Sequence, residues 1–74
     1  MSSTDPKVIE DLKAAFSGES QANRKYLAYA HKADLEKLPY AAKVLRAAAE
    51  AETIHAHTHL RQLGAIQDTQ TNLK

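Results

Sequence analysis

Glu52 and His55 stand three residues apart in the run Ala49-Glu50-Ala51-Glu52-Thr53-Ile54-His55-Ala56-His57-Thr58-His59. In a helix that spacing sends a carboxylate and an imidazole out from one face. Val44, Leu45, Ala48, Leu60 and Leu63 recur around them at helical spacing, so this face is expected to be the apolar one. Burying a carboxylate and an imidazole is costly unless something compensates them. A divalent cation compensates both, because each group binds it in the protonation state it already holds near neutral pH. Glu19 is the second residue of this kind. It falls in register with Leu12, Phe16 and Tyr26 and directly follows Gly18. A glycine inside a helix costs about 1 kcal/mol relative to alanine, so Gly18 is expected to mark close packing or a functional site.

Two long helices must position these side chains. Residues 1–4 are polar and expected to be loose. Asp5-Pro6 reads as a helix start, with Asp5 as N-cap and Pro6 in the first turn. From there the pattern stays helical to about residue 37, with a stripe of Leu12, Phe16, Glu19, Asn23, Tyr26, Ala30 and Ala33. Leu38-Pro39 breaks it, because a proline pushes the residue before it out of helical geometry and suits a new first turn. The second helix is expected over about 39–63, with Ala41, Val44, Leu45, Ala48, Glu52, His55, His59 and Leu63 turned inward and Gly64 ending it. Residues 65–74 are polar and read as a tail without a capped element. The end of the chain, Asn72-Leu73-Lys74, resembles Asp11-Leu12-Lys13, as though a second copy of the hairpin could begin there.

The predicted architecture is therefore all-α: an antiparallel two-helix hairpin occupying residues 1–74 as one half-domain. Glu19 lies about 19 residues before the turn, and Glu52 and His55 about 14 and 17 after it, so at 1.5 Å per residue they fall at similar heights. A lone hairpin leaves one apolar side wet. A second hairpin, from a homodimer or a separate second-half chain, closes a four-helix bundle. Two-fold symmetry then brings together two carboxylates from the first helices and two Glu-x-x-His pairs from the second. That is the general ligand arrangement of ferritin-like di-iron bundles. Two divalent ions neutralise the four carboxylates, and mixed oxygen and imidazole ligation suits iron, with manganese or zinc as substitutes.

The other polar residues carry weaker expectations. Tyr26, two turns from Glu19 on the same face, could hydrogen-bond a ligating carboxylate. His59, one turn beyond His55, is expected to support a ligand or to sit in the core rather than to bind metal itself. His57 falls on the outer face. His31 reads as a surface residue near the C-terminal dipole of the first helix.

Composition narrows the partners. There are 10 Lys and Arg against 9 Asp and Glu, for a formal net charge of +1, and they are mixed along the chain. No clustered basic face argues for nucleic acid or an anionic membrane. The absence of cysteine excludes thiolate zinc sites and iron–sulfur clusters within the chain, and it fits a cytoplasmic protein. No run approaches a membrane span, and the first residues lack the apolar core of a secretory signal.

The segment Phe16-Ser-Gly-Glu19-Ser-Gln-Ala-Asn-Arg-Lys-Tyr26, followed by Ala49-Glu-Ala-Glu52-Thr-Ile-His55-Ala56, resembles the first half of the ferritin-like domain of rubrerythrins. The similarity runs from about Leu12 to Leu63, and both motifs fall in the family's order. It implies a non-haem di-iron site with Glu19, Glu52 and His55 as ligands and Tyr26 behind them. It also implies peroxide reduction in oxidative-stress defence, or a related iron-oxidising activity. In the family a second hairpin supplies the remaining ligands, and a rubredoxin domain often supplies electrons. Neither lies within these 74 residues, so a second hairpin and an external electron donor are expected, with hydrogen peroxide or dioxygen as the oxidant. Two rival readings remain: iron handling by ferroxidase chemistry, and a non-enzymatic helical dimerisation module whose buried polar positions set register.

Overall fold

The structure, a computed structural model, describes residues 5–74, so the expectation for residues 1–4 lies outside the described residues. Helix α1 spans Pro6–Leu35, α2 spans Pro39–Gln62, and a short α3 spans Thr69–Asn72. Local chemistry fixes the ends. The Asp5 carboxylate accepts a hydrogen bond from the backbone N–H of Lys7 at 2.9 Å, and Pro6 follows in the first turn. At the other end of α1, Lys37 adopts a left-handed φ of 61°. The Leu38 N–H then reaches Ala33 O at 2.9 Å and the Lys37 N–H reaches Asp34 O at 3.0 Å. Together these are the paired bonds of a Schellman turn. Pro39 opens α2 at once.

Gly64, with φ 68°, closes α2 in the same way, with Ala65 N–H on Leu60 O and Gly64 N–H on Arg61 O, both at 3.0 Å. The tail differs from expectation. Asp68 caps a final helical turn, accepting at Oδ2 from the Thr71 N–H at 3.4 Å and at Oδ1 from the Thr71 hydroxyl at 2.5 Å. An aspartate three residues before a threonine outcompetes the free polar coil that composition alone suggested.

α1 and α2 pack antiparallel along their length, whereas α3 packs against neither. The buried side chains among the described residues are all alanines: Ala30 and Ala33 on α1, and Ala42, Ala49 and Ala56 on α2. The α2 alanines recur every seven residues, two turns apart, and form the strip that meets α1. This corrects part of the expected inward stripe. Ala41, Leu45, Ala48, Glu52, His59 and Leu63 flank that strip and are half-buried. Val44 is 50% exposed and His55 also faces outward. Small residues occupy the line of closest helix approach, and the larger side chains flank it.

Two polar links pin the register. The Asn23 side-chain amide donates to Ala49 O and to Thr53 Oγ1, each at 2.8 Å. Near the turn, the Arg46 guanidinium pairs with the Asp34 carboxylate. The molecule measures 47 × 29 × 13 Å. Its thinnest dimension is close to one helix diameter, about 10–12 Å, so the hairpin is a single layer. No helix among the described residues is long and apolar enough to cross a membrane.

Candidate metal centre

Glu19 projects from the middle of α1. Glu52 and His55 project from α2, one turn apart, at the height where the Asn23–Thr53 link holds the two helices. Each of the three offers a ligand atom, and these atoms all lie within 4.8 Å of one another. Ligands at about 2.0–2.2 Å from one ion fall within roughly 4.4 Å of each other, so a shared cation needs these side chains to draw in by a few tenths of an ångström. Glu19 and Glu52 are half-buried, while His55 is exposed on the open side.

The surroundings of Glu19 are unusual. Its Oε1 lies 3.7 Å from His55 Nδ1, and its Oε2 lies 3.1 Å from His59 Nε2. The Oε2 atom is buried, yet it has no hydrogen-bond partner among the described residues. The His59 ring is near enough but is not aimed along a hydrogen bond. A shielded carboxylate oxygen without a donor is costly, and a cation satisfies it without needing one. Two carboxylates with imidazole form an oxygen-rich, borderline donor set that matches iron, manganese or zinc and disfavours the softer thiolate-seeking ions. The residues present thus fit a bound divalent metal.

The chain also resembles known proteins over most of its length. A family model described as Rubrerythrin matches residues 10–74. The chain belongs to the rubrerythrin family. It is 39% identical over 72 residues to "Reverse rubrerythrin-1" of Clostridium acetobutylicum, an alignment covering 95% of this chain and 40% of that protein. The chain therefore spans about two fifths of the length of its curated relative. No solved structure matches it. Rubrerythrin membership points to a ferritin-like protein with iron as its metal.

The other expected residues fall out as follows. Tyr26 is half-buried, and its ring meets Tyr29 edge-on, with centroids 6.5 Å apart and planes at 72°. Its hydroxyl hydrogen-bonds neither Glu19 nor Glu52 among the described residues. Gly18 is exposed, and a methyl group placed on it would meet nothing within 4 Å, so close packing within the hairpin does not explain it. His57 and His31 are exposed, as their positions in the pattern suggested.

Sequence reasoning undervalued two features. His59 touches Glu19, and the signal was available: it lies four residues after His55 and seven after Glu52, so it shares their face. The Asn23–Thr53 link was legible only in part. Asn23 stood out as a polar residue in the α1 stripe, but nothing in the sequence paired it with Thr53.

Proposed function

We propose that this rubrerythrin chain is half of a non-haem di-iron redox centre that reduces hydrogen peroxide, completed by a second hairpin from another copy or from a separate chain. The convergence of Glu19, Glu52 and His55 on one point, with a buried Glu19 oxygen left over, is the observation that carries this reading. Glu19 and Glu52 supply negative charge to hold two cations and to share them between hairpins. His55 supplies a neutral nitrogen from the side that the second hairpin would cover. Iron bound there would supply electrons for cleaving the O–O bond and would polarise that bond as it breaks. The two helices hold the ligands at one height, and the alanine strip keeps the backbones close enough for opposed side chains to meet.

Electrons must return from outside these 74 residues, because no cysteine is present among them to hold an iron–sulfur or rubredoxin-type centre. A cysteine-free composition also suits a reducing, cytoplasmic setting.

The test pairs iron loading with turnover. The protein is reconstituted anaerobically with ferrous iron, then given hydrogen peroxide and a chemical reductant. Peroxide consumption over many turnovers is expected, with iron staying bound and no ferric mineral accumulating. Glu19→Ala and His55→Ala are each expected to lose most of the bound iron and the turnover with it. Full iron stoichiometry in both variants would show that these residues are not the ligands. Mineral growth without catalytic peroxide loss would replace the peroxidase reading with iron handling.

A further inference from the structure

Among the described residues, His59 is a polar side chain in contact with Glu19 that the reading above leaves without a task. We infer that His59 is itself a metal ligand through Nε2, sharing an ion with Oε2 of Glu19; this rests on the metal-centre reading given above.

Three observations lead there. His59 Nε2 and Glu19 Oε2 are 3.1 Å apart, and both side chains are only 22% exposed. Oε2 nevertheless accepts no hydrogen bond, so the contact is not an N–H aimed at an oxygen. On the far side of the ring, His59 Nδ1 lies 3.3 Å from Gln62 Oε1. An amide oxygen can only accept, so that contact is a hydrogen bond when Nδ1 carries the ring proton. In the neutral ring Nε2 is then a bare lone pair.

Two lone-pair atoms side by side and shielded from water repel each other unless positive charge lies against both. A shared proton would sit on the line between them, which the ring orientation does not favour. A metal ion sits off that line. Two ligands about 2.1 Å from one octahedral ion, in neighbouring positions, are about 3 Å apart, close to the separation observed here. Gln62 then has the role that carbonyl groups commonly take behind a ligating imidazole: it fixes the tautomer and orients the ring. The carboxylate of Glu19 presents one oxygen to each of two imidazoles, Oε1 towards His55 and Oε2 towards His59. Each hairpin thereby contributes two carboxylates and two imidazoles.

Zinc is the suitable probe, because it is diamagnetic and accepts the same donors. The protein is labelled with 15N in its histidine rings and titrated with zinc alone, and the nitrogen shifts of all four histidines are followed by long-range 1H–15N correlation. Before zinc, His59 is expected as the Nδ1–H tautomer. With zinc, one ring nitrogen of His55 and Nε2 of His59 are expected to move to the metal-bound range, while His31 and His57 stay put. His59→Gln is expected to weaken zinc binding at least about ten-fold while leaving the His55 shift change intact.

A His59 nitrogen that keeps its shift at saturating zinc, while His55 responds, overturns this inference alone, even if His59→Gln weakens binding. A histidine that only steadied Glu19 would behave in that way. Failure of both histidines to respond overturns the metal-centre reading together with it. The spectrum of the unaltered protein gives the answer whether or not the variant folds.

Discussion

Glu19 sits where a leucine would pack without penalty. It lies on the same face of α1 as Ala30 and Ala33, half-buried, with an oxygen shielded from water and no donor to meet it. Retaining a carboxylate there destabilises the metal-free hairpin, and binding a cation reverses that cost. Glu19→Leu is therefore expected to raise the stability of the metal-free protein by about 1 kcal/mol, consistent with a partly buried polar group, while abolishing metal binding. Paired thermal melts with and without zinc check both halves. A loss of stability without metal would mean that the carboxylate is already satisfied in the unloaded hairpin. The spacing of Glu19, Glu52 and His55 was legible in the sequence because each lies on a regular helix at a known distance from one turn. The contact of Glu19 with His59 was not, because choosing between two imidazoles on one face depends on rotamers that a helical pattern does not encode.

Among the elements, the helix ends were the most legible parts and the packing faces the least. Asp5-Pro6, Leu38-Pro39 and Gly64 act through their own backbone geometry, so α1 ends at Leu35 and α2 at Gln62, close to where the sequence placed them. The centre of the α2 face that meets α1 was misplaced because large apolar residues dominate any periodic pattern. Where two helix axes come closest only a small side chain fits, and Ala42, Ala49 and Ala56 carry little hydrophobic signal.

The turn end depends on charge. Asp34 lies in the last turn of α1, where the helix dipole disfavours an anion. Hydrogen bonding to the Arg46 guanidinium, with the added attraction of its charge, holds the Asp34 carboxyl below the ordinary aspartate range. A carboxyl lowered in the folded state adds stability above its unfolded value, and this is lost as pH falls through the folded value. Asp34→Asn is thus expected to melt below the parent near neutral pH. The difference should shrink to nothing once pH drops well below about 4, the region of ordinary aspartate titration. Melting curves across pH check this, and a gap that persists in acid would assign the effect to packing. Both side chains are largely exposed, so the difference is expected to be small and to fade with added salt.

On the scale of the whole molecule, the hairpin is one helix thick and buries only alanines, while Leu27, Tyr29, Val44 and Ile54 remain 42–58% exposed. A domain ordinarily packs two layers around a core, and a chain of this size gains most from a partner or a metal. In the proposed assembly a second hairpin supplies both, covering the side that carries His55 and bringing a second set of Glu19, Glu52 and His55 to the same ions.

Metal content measured together with solution mass tests the shared centre most directly. Protein purified without chelators and loaded anaerobically with ferrous iron is expected to hold two ions per pair of hairpins, and to return towards single hairpins when a chelator removes the iron. A single hairpin carrying no stoichiometric metal, or a pair whose mass and stability ignore the chelator, would contradict it.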